Sequence, residues 1–177
     1  MRCFIRVIAV TLLAAPAFAE SAFDYVAPCA TGDQDACLRG AQLAQAAQDQ
    51  ALLATFSRTG CQHGNLISCS DEGMMIISGL TPDGDVQRAV GLVRRGCDGG
   101  YFRACANLGY LYFTGTGVAQ DIGAAAKYYQ RGCDGGSAAA CRNLGLMVLD
   151  GEVAPGAGQS ADTLFDRACD LGDASAC

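Results

Sequence analysis

Residues 95–117 read RGCDGGYFRACANLGYLYFTGTG, and residues 131–152 repeat the phrase as RGCDGGSAAACRNLGLMVLDGE. Each copy holds two cysteines eight positions apart, and the copies are offset by 36 residues. The same pairing runs outward in both directions as Cys29/Cys37, Cys61/Cys69, Cys97/Cys105, Cys133/Cys141 and Cys169/Cys177, with successive pairs starting 32, 36, 36 and 36 residues apart. Glycine stands three residues after the first cysteine of every pair, at Gly32, Gly64, Gly100, Gly136 and Gly172. Gly73, Gly109 and Gly145 lie four past a second cysteine, Gly79, Gly115 and Gly151 ten past it, and Ala89, Ala125 and Ala161 eight before a first. A fixed period of this length marks a repeat array.

Within one period, DIGAAAKYYQRGCDGG begins on Asp121, an N-cap residue, and closes on glycines suited to a left-handed helix end. Asp49 and Asp85 occupy the equivalent starts. FRACANLGYLYFTG places its apolar residues at helical spacing and also ends on glycine, Gly115. The unit is therefore a pair of antiparallel helices, with TGTGVAQ as its internal loop. Gly109 falls mid-helix, where glycine costs about 1 kcal/mol against alanine. Close approach of the partner helix is the expected compensation.

One cysteine of each pair ends a helix and the other begins the next, so five disulfides are expected, each pinning a helix junction. A closed loop of about nine residues stabilises by roughly 2.5 kcal/mol in the chain-entropy model. Zinc sites carry at least one close ligand spacing of two to four residues. None occurs here, and His63 is the single histidine, so no metal site is expected.

The start of the chain has the form of an export signal. Met1 to Arg6 is basic, VIAVTLLAA is a short apolar run, and AFA ends at Ala19. The expected division is 1–19 as signal peptide and 20–177 as the array, with units near 29–60, 61–96, 97–132 and 133–168 and a terminal cap at 169–177. That apolar run is shorter than the roughly 20 residues a bilayer requires, so no membrane span is expected after signal removal. Without the signal, ten cysteines remain and the formal charge moves from −6 to −8. An even cysteine count behind an export signal fits an oxidising compartment, periplasmic or secreted. Lys127 is the only lysine, which leaves little for phosphate contacts and argues against nucleic acid.

ACANLGYLYFTGTGVAQDIGAAAKYYQRGCDGG resembles the Sel-1-like repeat, a relative of the tetratricopeptide repeat. The resemblance rests on Ala104, Leu108, Gly109, Tyr112, Gly115, Gly117, Val118, Asp121, Ala125 and Tyr129. Cysteines eight apart around the inter-repeat turn resemble the cysteine-rich, secreted Hcp-type subgroup. Earlier units depart from the pattern: Gly40 and Glu72 stand where Leu108 and Leu144 stand later, Ser57 replaces Tyr129 and Phe165, and the first unit is four residues short. The resemblance implies an all-α fold, an α/α superhelix of disulfide-pinned helix pairs with a concave face. It also implies an adaptor that gathers proteins or peptides, with penicillin binding or weak β-lactamase activity as the alternative.

The lactam alternative requires chemistry the residues do not display. A serine enzyme of that kind uses Ser-x-x-Lys, Ser-Asp-Asn and Lys-Thr-Gly. Here Ala124 precedes Lys127 by three, Ser70-Asp71 is followed by Glu72, and no Lys-Thr-Gly occurs. No catalytic residue and no cofactor is therefore assigned. In the tetratricopeptide superfamily the first helix of each pair lines the concave side, which implies Arg103, Asn107 and Tyr110, then Arg142, Asn143 and Leu146, as ligand-binding candidates. Met74 and Ile77 are their upstream neighbours, and asparagine at this position often holds an extended peptide. Tyr128 and Tyr129 are expected to pack between repeats.

Overall fold

The computed structural model describes residues 20–81, 84–154, 156 and 159–177, and the elements among them are all helical. The export signal expected at 1–19 lies outside the described residues. After a 3-10 turn at Ala22–Tyr25 come α1 (Val26–Ala30), α2 (Gln34–Ala46), α3 (Gln50–Gln62), α4 (Leu66–Ile77) and α5 (Val86–Asp98). These are followed by α6 (Phe102–Thr114), α7 (Ile122–Asp134), α8 (Ala138–Leu149), α9 (Ala161–Asp170) and a closing 3-10 turn at Ala174–Ala176. Four antiparallel pairs result: α2/α3, α4/α5, α6/α7 and α8/α9.

Local chemistry sets the boundaries. The side chains of Asp33, Asp49, Asn65, Asp85 and Asp121 each accept a first-turn amide, at 3.0, 2.9, 2.9, 2.8 and 2.8 Å. The expected caps at Asp49, Asp85 and Asp121 are thus present. At the junction between pairs, Gly136 takes φ +89 and donates its amide to the Cys133 carbonyl at 3.0 Å, the left-handed end that side chains resist. Its four counterparts behave alike, with φ between +91 and +97.

That turn sets the second cysteine against the first. Disulfides join Cys29–Cys37, Cys61–Cys69, Cys97–Cys105, Cys133–Cys141 and Cys169–Cys177, with Cα separations of 4.4–5.1 Å. The first bridge links α1 to α2, the next three link the last helix of one pair to the first of the next, and the fifth links α9 to the closing turn. The first four are buried, whereas Cys177 of the fifth is exposed.

The core is a row of small clusters with no common centre, as a linear array requires. One gathers Phe56 with Ala36 and Ala44, the next Val90 and Val93 with Leu108 and Leu111, the third Tyr129 with Leu144, Met147 and Leu164. Gly109 behaves as expected: a methyl group there would lie 2.7 Å from the Tyr129 ring, and one on Gly145 would lie 2.8 Å from Phe165. Tyr129 also packs on α8 residues, between repeats. Tyr128 stacks on Tyr112 of its own pair, with ring centroids 5.4 Å apart, and packs on the cluster that α5 of the preceding unit shares with α6.

Charge reinforces the stacking between units. Arg131 reaches Asp98 Oδ1 at 2.9 Å and the Cys97 carbonyl at 3.1 Å, and Arg167 reaches the Asp134 carbonyl at 3.3 Å, each 33 or 34 residues back. The first helices of successive pairs also touch, α4 with α6 and α6 with α8, whereas no comparably close packing joins α5 to α7 or α7 to α9. This asymmetry curves the array and puts α4, α6 and α8 on its inner side.

Candidate functional site

The period of 36 aligns residues of α4, α6 and α8 into columns along the inner side. One column is Asp71, Asn107 and Asn143, a second Met74, Tyr110 and Leu146, and a third Ile67, Arg103 and Ala139. Between these helices lie two grooves. The first, of about 430 Å³, brings Arg103 and Asn107 together with Asp71, Met74 and Tyr101. The second, of about 250 Å³, brings Tyr110, Asn143 and Leu146 together with Phe113, Tyr129, Met147, Asp150 and Glu152.

The asparagines are partly committed to the fold. Asn107 Nδ2 donates to Ser70 Oγ of the preceding unit at 3.2 Å, which orients its amide without using the oxygen. Asn143 lies against the Tyr129 phenol. Burial pushes that phenol up to about 12, with the Asn143 amide pulling the other way and Tyr110 and Glu152 adding to the rise. In the first groove, burial raises the Asp71 carboxyl above its ordinary value, and Arg103 opposes the rise. Burial likewise raises the Tyr101 phenol, helped by Asp71 and opposed by Arg103. Asp71, Tyr101 and Arg103 thus form one electrostatic cluster, with Arg103 exposed at its edge.

Arg142 departs from the expectation. It belongs to the column of Ser70 and Ala106, whose side chains are buried against the next unit. What stacks on α8 at that point is the closing turn, so Arg142 Nε lies 3.0 Å from Asp173 Oδ2 and Nη1 lies 3.3 Å from Ser175 Oγ. Hydrogen bonds from the Ser175 hydroxyl and amide hold the Asp173 carboxyl below its usual value against desolvation, and Arg142 adds to the lowering. Arg142 ties down the closing turn and lines neither groove.

Sequence reasoning passed over Asp71, although counting back 36 from Asn107 lands on it. It also passed over Tyr101, Phe113, Asp150 and Glu152, which no motif marks and which packing alone brings to the grooves. Met74 lines the first groove, while Ile77 packs on the core cluster around Val93 and Leu108. No group of three or more His, Cys, Asp or Glu side chains approaches metal-binding geometry among the described residues, and Lys127 is exposed on α7.

The family model for the Sel1 repeat matches residues 102–137 and 138–173, that is α6/α7 and α8/α9 with their junction turns. Two Sel1 repeats are thus present in this chain. Solved relatives share the fold. A Sel1 repeat protein from Oxalobacter formigenes superposes with a TM-score of 0.68 at 23% identity, over 84% of this chain and 62% of that one. A protective antigen of uropathogenic Escherichia coli with an SLR fold gives 0.70 at 18% identity, over 90% and 35%. Helicobacter pylori cysteine rich protein B gives 0.53 at 23% identity, over 67% and 88%. This chain therefore spans under two thirds of the first two of these proteins. No curated protein matches the sequence. Sel1 repeat proteins typically serve as protein-interaction scaffolds, and nothing in these relationships supports the lactam alternative. Five disulfides suit this chain to an oxidising, extracellular compartment. None of its described helices is long and apolar enough to cross a membrane.

Proposed function

We propose that this chain is a Sel1 repeat protein throughout, is exported with cleavage after Ala19, and acts as an adaptor. In this reading it holds an extended segment of a partner protein along the inner side of α4, α6 and α8. The observation that carries it is the pairing of columns there. Asp71, Asn107 and Asn143 offer polar groups at a fixed period, and Met74, Tyr110 and Leu146 stand one helical turn further on. Tyr110 and Leu146 leave 48% and 43% of their surfaces open, at equivalent positions of consecutive units. An extended segment advancing along such a face meets a polar and an apolar contact in each unit. Arg103, Asn107, Tyr110, Asn143 and Leu146 are the contacts, and Arg142 supports the closing turn instead.

Export and rigidity belong to the same reading. Buried staples at the junctions between pairs fix the spacing between columns, so a partner meets a preformed surface and less ordering entropy opposes binding. A photo-crosslinking side chain placed at Tyr110 and, separately, at Lys127 on α7 tests the surface in the exported fraction. The expected result is a discrete crosslinked partner from Tyr110, lost when Asn107→Ala and Leu146→Ala are added, and none from Lys127. Equal capture at both positions, or a mature chain still carrying residues 1–19 inside the cell, overturns it.

A further inference from the structure

The two grooves differ in charge. In the first, Arg103 is offset by Asp71. The second has carboxylates alone on its rim, Asp150 and Glu152, both exposed and neither paired with an arginine or lysine among the described residues. Glu20, Glu72, Asp98, Asp134 and Asp173 have arginine partners, and the exposed carboxylates of Asp35, Asp162 and Asp166, which also stand without one, line neither groove.

The placement of Asp150 works against local stability. It ends α8, where the carbonyl dipoles are negative and a carboxylate is unfavourable. The same register position holds Ser78 and Thr114 in the preceding units, and their hydroxyls donate to the Met74 and Tyr110 carbonyls at 2.9 and 3.0 Å. The α8 unit gives up that helix-end bond for a negative charge and adds Glu152 two residues on. The field reaches the cleft floor, since Tyr110 and Glu152 add to burial in keeping the Tyr129 phenol protonated.

Beneath this rim the walls are apolar: Tyr110, Phe113, Leu146 and Met147. Pockets for whole small molecules usually measure about 300–1,000 Å³. A cleft of about 250 Å³ suits one large side chain better than a complete ligand. We infer that this cleft takes an apolar side chain of an extended protein segment, with an arginine or lysine within two residues of it resting between Asp150 and Glu152. The inference rests on the adaptor reading above and names the chemistry of its ligand.

Panning a random twelve-residue display library against the oxidised protein at low salt tests it. The expected enrichment is Leu, Ile, Met, Phe or Tyr within two residues of Arg or Lys. A synthetic copy of an enriched peptide should lose about five- to tenfold in affinity to the Asp150→Asn, Glu152→Gln variant. High salt should shrink that difference, and Leu146→Glu should remove most of the binding. Asp162→Asn with Asp166→Asn, equal in charge change and located on α9, should leave affinity unchanged. Acidic or uncharged winners, or cationic winners weakened equally by the α9 control, overturn the proposed chemistry. If such peptides still lose binding to Arg103→Ala or Asn107→Ala, the adaptor reading survives. No enrichment, or enrichment blind to every inner-side substitution, overturns both.

Discussion

The α6/α7 pair and the α2/α3 pair solve the same packing problem one residue apart. In α6/α7, Gly109 opens a gap in one helix and Tyr129 of the other fills it, with Leu108 buried beside them. In α2/α3 the positions of that glycine and aromatic hold Ala41 and Ser57, and the large ring is Phe56. Its gap is made by Gly40, one residue before the regular site, where a methyl group would collide with the ring. The glycine and the ring have moved together, so the interlock survives where the motif looks broken. What the array conserves is a gap facing a ring, and either of two adjacent registers supplies it.

The α4/α5 pair shows a different substitution. Glu72 takes the place of Leu108 and is buried at 3% exposure. Arg88 Nη2 lies 2.6 Å from its Oε1, and Arg58 Nε lies 3.8 Å from the same oxygen. A single leucine contact has been exchanged for a charge held between α3 and α5. Connections differ as well. The internal loop of α6/α7 begins on Gly115 at φ +72, whereas the shortened α2/α3 connection turns on Gln48 at φ +58.

Removing the two rings gives the widest test of the comparison. Tyr129→Ala and Phe56→Ala should each cost about 3–5 kcal/mol in chemical unfolding, the range for large aromatics taken from a packed core. A Phe56→Ala loss under about 1 kcal/mol would show the shifted interlock to be nominal. The buried carboxylate comes next. Arg88→Ala leaves Glu72 with only its distant partner and should lower stability by about 1–3 kcal/mol, the cost of a buried acceptor left unsatisfied. Glu72→Leu, which restores the residue type of the later units, should be neutral or stabilising, since both arginines are half-exposed and remain hydrated. A large loss from Glu72→Leu would mean that the charge specifies the packing of α4 on its neighbours. The smallest effect is expected at the turn. Gln48→Gly should raise the thermal midpoint, by relief of about 1 kcal/mol of left-handed strain, while Gly115→Ala should lower it. Equal responses at the two positions would remove the distinction between the connections.

Much of the architecture could be read from spacing. Cysteines eight apart across a helix end and a helix start imply a junction staple, and the structure joins the same five pairs. Asp121 and its equivalents announced helix starts because capping depends on only three or four consecutive residues. The groove residues were less legible. Arg103, Asn107, Tyr110, Asn143 and Leu146 follow from a register, but Arg142 follows from its neighbours: one step along α8 turns its side chain toward Asp173. Asp150 and Glu152 carry no motif, and their importance comes from the apolar walls that packing sets beneath them.

The sequence by itself determined the repeat, the helix boundaries and the staples, because each depends on contacts within about one period of the chain. Only the tertiary structure decided which face curves inward, how Phe56 replaces a missing tyrosine, and which carboxylates are left without a cation. Those outcomes depend on the distance between side chains that lie tens of residues apart, and periodicity sets their order along the array without fixing that distance.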